Sequence, residues 1–189
     1  MNDINEDKIF AQVDFSGQLF YEIEFINCKF INCNFAYADI NNSDFIDCTF
    51  DNCNLSVVKV KNAGFKNAYF LKSKITGVDF SVCNNFLFDF QFLDCIIDYC
   101  SFYGKKLKKT HFKACSIKES DFSEADLSES WFDNCDLLNS IFRQTKLMKT
   151  NFSTAVNYMI DPEQNNIKKA KFSQEGLNGL LAKYDIIIE

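Results

Sequence analysis

An apolar residue recurs at every fifth position along most of this chain. Stepping by five gives Phe10, Phe15, Phe20, Phe25, Phe30, Phe35, Ile40, Phe45, Phe50, Leu55, Val60, Phe65, Phe70, Ile75 and Phe80. The frame slips by two residues across Ser81–Gln91 and resumes as Phe92, Ile97, Phe102, Leu107, Phe112, Ile117, Phe122, Leu127, Phe132, Leu137, Phe142, Leu147 and Phe152. An α-helix repeats at about 3.6 residues and a strand at about two, so neither generates this period. The chain is a tandem array of five-residue repeats.

The position two before each centre is small. From Cys28 to Cys83 it is held only by Cys, Ala, Ser and Val, and from Thr110 to Ala155 only by Thr, Cys, Ser and Ala. One large and one small inward side chain per repeat is what a narrow, filled tube accommodates. The other three residues of each five are mostly polar and belong to the outer surface. The chain has 22 Phe but only six Gly and one Pro, little turn punctuation for an ordinary sheet or bundle.

Runs such as Ala125-Asp126-Leu127-Ser128 and Cys33-Asn34-Phe35 resemble the motif of the pentapeptide-repeat proteins. That resemblance implies an all-β fold, a right-handed quadrilateral parallel β-helix with four repeats per coil. A coil is then 20 residues. Phe10, Phe30, Phe50 and Phe70 form one column, continued past the slip by Phe92, Phe112, Phe132 and Phe152. About seven coils stacked at the strand spacing span roughly 35 Å. The expected organisation is an N-terminal tail over 1–7, the β-helix over 8–157 with its slip at 81–91, and a C-terminal turn, helix and short strand over 158–189. The slip reads as a bulge or loop with the stack intact on both sides. It holds Phe86, Phe88 and Phe90, and the sequence does not decide which of them is inside.

All nine cysteines (Cys28, Cys33, Cys48, Cys53, Cys83, Cys95, Cys100, Cys115 and Cys135) fall at the small inward position. They lack the close pairs of a zinc site and read as small core residues. His111, the one histidine, falls at an outward position with no nucleophile placed beside it. With no Gly-rich phosphate loop either, the chain reads as a non-enzyme that needs no metal or cofactor.

The formal net charge of −6 argues against direct nucleic-acid binding. No stretch is apolar enough for a membrane span, and the polar start, Met1–Lys8, is unlike a secretory signal, so a cytoplasmic location is expected. Charge runs in bands. Asp39, Asp44, Asp47 and Asp51 form an acidic one; Lys59, Lys61, Lys66, Lys72 and Lys74 a basic one; Lys105, Lys106, Lys108, Lys109, Lys113 and Lys118 another. The acidic band nearest the C-terminal segment comprises Glu119, Asp121, Glu124, Asp126, Glu129, Asp133 and Asp136, and is the candidate partner-binding site.

Beyond the repeats, Asp161-Pro162 marks a turn or helix start, and Ser173 opens an expected helix. Leu177, Leu180, Leu181 and Tyr184 form its apolar stripe, and Ile186-Ile187-Ile188 follows as a strand candidate. The stripe is the candidate cap of the last coil and the candidate contact of a homodimer. The tail, Asn157-Tyr158-Met159-Ile160-Asp161-Pro162-Glu163-Gln164-Asn165 with Gly176-Leu177-Asn178-Gly179-Leu180-Leu181, resembles that of the Qnr/McbG group, to which MfpA is related. This resemblance implies a dimeric, DNA-mimicking protein that protects type II topoisomerases (DNA gyrase and topoisomerase IV) from quinolones or toxins. The alternative is a generic repeat scaffold for protein–protein contacts.

Overall fold

A computed structural model describes residues 3–86, 88–184 and 186–187. The chain winds as a parallel β-solenoid of about eight turns, closed by one short C-terminal helix. Each coil presents four faces. In chain order, the first is centred on Asn5, Phe25, Phe45, Phe65, Leu107, Leu127, Leu147 and Ile167. The second runs from Phe10 to Phe172, the third from Phe15 to Leu137, and the fourth from Phe20 to Phe142. Pairing is parallel throughout. Phe25 lies over Asn5, Phe30 over Phe10 and Phe132 over Phe112, twenty residues apart in each case.

The inward rings stack along the rod. Phe30 and Phe50 have centroids 4.9 Å apart and planes 11° apart; Phe112 and Phe132 are 4.8 Å and 3° apart. Isolated rings prefer offset or edge-on contacts. Here backbone pairing fixes the spacing, and identical side chains in one column stand parallel. Rings from opposite faces meet edge-on across the tube, as Phe112 and Phe122 do at 86°. Every centre residue from Phe20 to Phe80 and from Phe92 to Phe152 is buried. Burying a ring of this kind contributes roughly 1.5–3 kcal/mol.

The small slot does more than leave room. A thiol or hydroxyl there donates to the carbonyl of the residue 23 earlier: Cys53 to Phe30 (3.3 Å), Ser120 to Ile97 (2.8 Å), Thr150 to Leu127 (2.7 Å). Asn165 makes the same bond from its amide to Phe142, at 3.0 Å. Cys, Ser and Thr therefore suit the slot because they are small and because they satisfy an inward carbonyl.

Corners explain the shortage of glycine. The residue two after nearly every centre is left-handed, for example Asn27 (φ 51), Asn52 (φ 52) and Asn62 (φ 57). Asparagine tolerates this region better than most residues. Its amide also bonds the same corner one coil back, Asn52 to Asn32 at 2.6 Å and Asn62 to Asn42 at 3.0 Å.

The solenoid is longer at both ends than the repeat pattern indicates. Asp3–Glu6 is no tail; it is a strand paired with Ile23–Ile26. Its centre is Asn5, so the apolar signal is missing there. The last coil runs past 157 to Lys171–Phe172, where Phe172 stacks on Phe152 at 5.4 Å. In that coil the five-residue frame breaks, Asn157 being an exposed left-handed corner while Tyr158 and Ile160 turn inward, which hides it from a hydrophobic count.

At the slip the coil lengthens to 22 residues, Phe70 pairing with Phe92, and the second-face stack continues unbroken at 5.2 Å. Phe86 projects into solvent at 91% exposure, Phe88 is half-buried, and Phe90 is fully enclosed. Phe90 pairs with Ala68, so its ring takes a small slot, 5.0 Å from Phe92 and 5.4 Å from Phe80. Lys105 belongs to the same region and not to the surface band. It occupies the small slot before Leu107 and is 2% exposed. Its ammonium donates to the Cys83 carbonyl and to Asn85 Oδ1, both at 2.6 Å, and lies 4.9 Å from the centre of the Phe88 ring. Burial lowers its pKa against the opposing charges of Cys83 and Asp79.

Truncating Phe90 to Ala should lower unfolding stability by about 3–5 kcal/mol, because the ring is enclosed on all sides. Phe86→Ala should change it by no more than about 0.5 kcal/mol. Urea midpoints at unchanged slope read both, and equal losses would contradict this arrangement of the insertion.

Candidate functional site

The rod has a filled interior, so its chemistry lies on its faces. Twenty-residue registry turns bands in the sequence into rings around the rod, and residues twenty apart stack on one face. The acidic band is such a ring. Glu119 and Asp136 lie on the third face, Asp121 and Glu124 on the fourth, Asp126 and Glu129 on the first, and Asp133 on the second. The structure does not gather the seven onto one surface. Several are matched by the coils on either side: Asp126 with Lys108 (3.4 Å), Glu129 with Lys149 (3.4 Å), Asp136 with Lys118 (3.0 Å), and Asp133 with His111 (2.5 Å). Burial works to raise the Asp126 carboxyl, but hydrogen bonds from Ser128 and the charge of Lys108 outweigh it and leave the pKa below the ordinary value. Asp136 is lowered in the same way by Asn157 and Lys118, against burial.

The first face has the strongest charge pattern, and the linear bands do not reveal it. Its N-terminal half carries Glu6, Asp7, Glu24, Asp44 and Asp47 against Lys66. Its C-terminal half carries Lys106, Lys108, Lys109, Lys146, Lys149, Lys168 and Lys169 against Asp126 and Glu129. Glu24 and Asp44 are register neighbours in adjacent coils. Burial first, and then the Glu24 charge, raise the Asp44 pKa. Like charge is thus stacked on like charge without an ion pair to either residue among the described residues. Comparing residues twenty apart would have found this column in the sequence.

All nine cysteines are buried and unpaired. Burial pushes the Cys48, Cys53, Cys83 and Cys100 thiols up to about 12. A hydrogen bond with Cys135, together with burial, does the same for Cys115. Among the described residues, no three His, Cys, Asp or Glu side chains are grouped to hold a metal ion. His111 faces outward as expected, bonded to Asp133 and packed against Trp131 with centroids 5.8 Å apart.

At the C-terminus, only Asn178–Leu181 is α-helical, between tighter turns at Glu175–Leu177 and Ala182–Tyr184; the helix does not open at Ser173. The segment lies on Tyr158. A Cβ at Gly179 would overlap the Tyr158 carbonyl oxygen, so glycine is required for the approach. The expected stripe divides. Leu180 packs on the core and Leu181 is half-buried, while Leu177 and Tyr184 are 44% and 51% exposed. Tyr184 donates to Glu163 at 3.0 Å, and Lys183 bridges Asp161 (2.7 Å) and Glu163 (2.6 Å). Ile186 and Ile187 form no strand, because no neighbouring strand pairs with them; Ile188 lies outside the described residues. Among the described residues, no helix is long and apolar enough to cross a membrane.

The profile of the pentapeptide repeat region matches residues 6–80 and 43–122, and that of pentapeptide repeats (8 copies) matches 120–156. No curated protein sequence matches the chain. Among solved structures, a trypsin-treated variant of QnrB1, a plasmid-mediated fluoroquinolone resistance protein, is similar at 20% identity, covering 99% of this chain and 90% of that one, with a TM-score of 0.49. HetL, a pentapeptide repeat protein of the cyanobacterium Nostoc involved in heterocyst differentiation regulation, is similar at 10% identity, covering 91% and 86%, with a TM-score of 0.45.

The buried thiols make stability pH-dependent. With a folded pKa near 12 against an ordinary value of 9.0, each such cysteine stabilises the fold fully below about pH 9. That contribution is lost as the pH rises towards 12, because the unfolded chain then releases protons that the folded chain retains. Urea midpoints should therefore fall steeply above about pH 9. Native protein should react with a thiol reagent only as it unfolds, and unfolded, unreduced protein should titrate nine thiols. Rapid labelling of native protein at neutral pH would contradict the burial.

Proposed function

The chain belongs to the pentapeptide-repeat family, and from that premise we propose that it is a non-catalytic, cytoplasmic binding rod whose partner is a type II topoisomerase, DNA gyrase or topoisomerase IV. It would present carboxylates where DNA presents phosphates, occupy the enzyme's basic DNA-binding surface and so protect it from a quinolone or toxin. The observation that carries this reading is the acidic half of the first face. There Glu24 and Asp44 stand one coil apart with no counter-ion among the described residues, and Asp7 and Asp47 occupy the corner beside them. A basic surface would relieve that repulsion on binding. The contact thus moves from the Glu119–Asp136 ring, which is spread over four faces and has three of its seven carboxylates paired with lysines, to this column. The resemblance of the tail to the Qnr/McbG group supports the same partner. It also supports a homodimer through the exposed Leu177 and Tyr184, with Leu180 and Leu181 seating the cap beneath them.

A second reading, a generic scaffold, is favoured by the even spread of the Glu119–Asp136 ring over four faces. Gyrase supercoiling in the presence of a quinolone separates the two. The wild-type chain should restore supercoiling in a concentration-dependent way. Changing Glu24, Asp44 and Asp47 together to Lys should raise the required concentration at least about tenfold. Changing Asp121, Glu124 and Asp126 to Lys should have a smaller effect. Light scattering should show a dimer that Leu177→Asp converts to monomer. If the wild-type chain has no effect on the enzyme at any concentration, the topoisomerase reading fails and the scaffold remains. If only the ring variant loses activity, the contact lies on the ring.

A further inference from the structure

We infer a second binding site, on the opposite half of the rod. The corner between the first and second faces, over the last coils, binds a single nucleic acid strand, with Trp131 stacking on a base and Lys149, Lys169 and Lys171 contacting phosphates. This inference does not depend on the topoisomerase reading.

The corner is built by registry. Lys109, Glu129, Lys149 and Lys169 are successive corner residues, all left-handed with φ of 62, 63, 61 and 59, so their side chains leave the rod along one edge. Round that edge, Trp131, Asn151 and Lys171 follow in paired register on the second face. Together they line an open groove of about 380 Å³ whose residues are Glu129, Trp131, Lys149, Asn151, Lys169 and Lys171. Lys149 pairs with Glu129 at 3.4 Å, but both side chains are about half exposed (52% and 41%), and such a surface pair gives way readily to a phosphate. Lys169 and Lys171 have no ion-pair partner among the described residues.

Trp131 is the only tryptophan of the chain, and it is 39% exposed on a strand paired on both sides. Its ring rests against His111, which Asp133 holds at 2.5 Å, so the platform is fixed before a ligand arrives. An exposed indole beside the unpaired Lys169 and Lys171 ammonium groups matches a ligand that offers a flat ring and a phosphate together, which is a nucleotide. Lysines continue along the first face as Lys109, Lys146 and Lys168, so the footprint suits a strand better than a mononucleotide. A duplex keeps its bases stacked inside and cannot offer one to Trp131. The net charge of −6 is a sum over surfaces that the fold separates. Asp47 and Glu129 stand on the same corner four coils apart, roughly 19 Å at the strand spacing. That exceeds the Debye length of about 8 Å at physiological salt.

Trp131 reports on its own site. Titrating the full chain with an oligothymidylate of about 15 nucleotides in low salt should quench its emission saturably. The half-point should lie at about 1–100 µM and weaken with salt. Changing Lys149, Lys169 and Lys171 together to Glu should raise the half-point at least tenfold and reduce the log–log salt slope by about 2. Trp131→Leu, read by anisotropy of a labelled strand, should weaken binding about 5- to 100-fold. Lys59→Glu with Lys61→Glu, on the fourth face, should change nothing, and inorganic polyphosphate should compete without comparable quenching. The inference is overturned by absence of quenching at millimolar strand, by equal quenching with a duplex, or by an unchanged half-point in the triple variant. It is also overturned if emission depends only on protein concentration and light scattering shows salt-sensitive self-association, because the lysines then face the acidic half of a second copy.

Discussion

Stacking of one coil on the next, twenty residues later, is the constraint on which the rest of this structure depends. Backbone groups pair from coil to coil, and that pairing sets a spacing of about 4.8 Å for every side chain in a column. Rings in the interior then stand parallel, as Phe102 and Phe122 do at 5.0 Å and 4°. The same spacing lets a small donor reach a carbonyl in the coil before, and lets a corner asparagine bond the corner beneath it. A single geometric repeat thus satisfies apolar, polar and turn requirements together, which is the mutual consistency expected of a sequence that specifies one fold. The insertion at 81–91 tests its tolerance. The chain absorbs two extra residues by expelling Phe86, enclosing Phe90 and bonding the loop carbonyls to a buried lysine, while the stack above and below is preserved.

Registry also decides where charge goes. A run of seven acids spanning about one coil becomes a ring, and three of the seven pair with lysines from the coils on either side. Charges separated by twenty residues accumulate on one face instead. The first face is therefore acidic along one half and basic along the other, although neither half corresponds to a band in the sequence. A rod of this kind can present two opposite electrostatic surfaces at a distance that salt screens, so that each meets its own partner. Its net charge describes neither.

Much of this was legible beforehand. The five-residue period, the small slot and the slip identify the coil, its core and the one irregular turn, because each rests on side-chain volume, and volume is what a filled tube selects. The misreadings share a cause, which is that the apolar count falls silent where other groups do the same work. Asn5 holds the centre of a paired strand, and in the last coil the frame breaks, with Tyr158 and Ile160 inside and Asn157 outside, so the apolar period stops short of both ends. Charge assigns Lys105 to a surface band, although its position two before Leu107 marks it as inward. The division of the tail stripe, with Leu180 on the core and Leu177 outside, depends on how the segment crosses Tyr158 and is not encoded in its periodicity.

Native-state hydrogen exchange tests the continuity of the stack most directly. The amides that bond coil to coil, such as Asn54 to Cys33, Ile96 to Ser73, Ser116 to Cys95 and Asp136 to Cys115, report each step along the third face. In a solenoid whose coils stabilise their neighbours, protection should rise from both ends to a single maximum near the middle and pass without a break across the 22-residue coil. Two maxima separated by a minimum at residues 84–88 would show that the insertion divides the rod into two independently opening units, and would contradict the account.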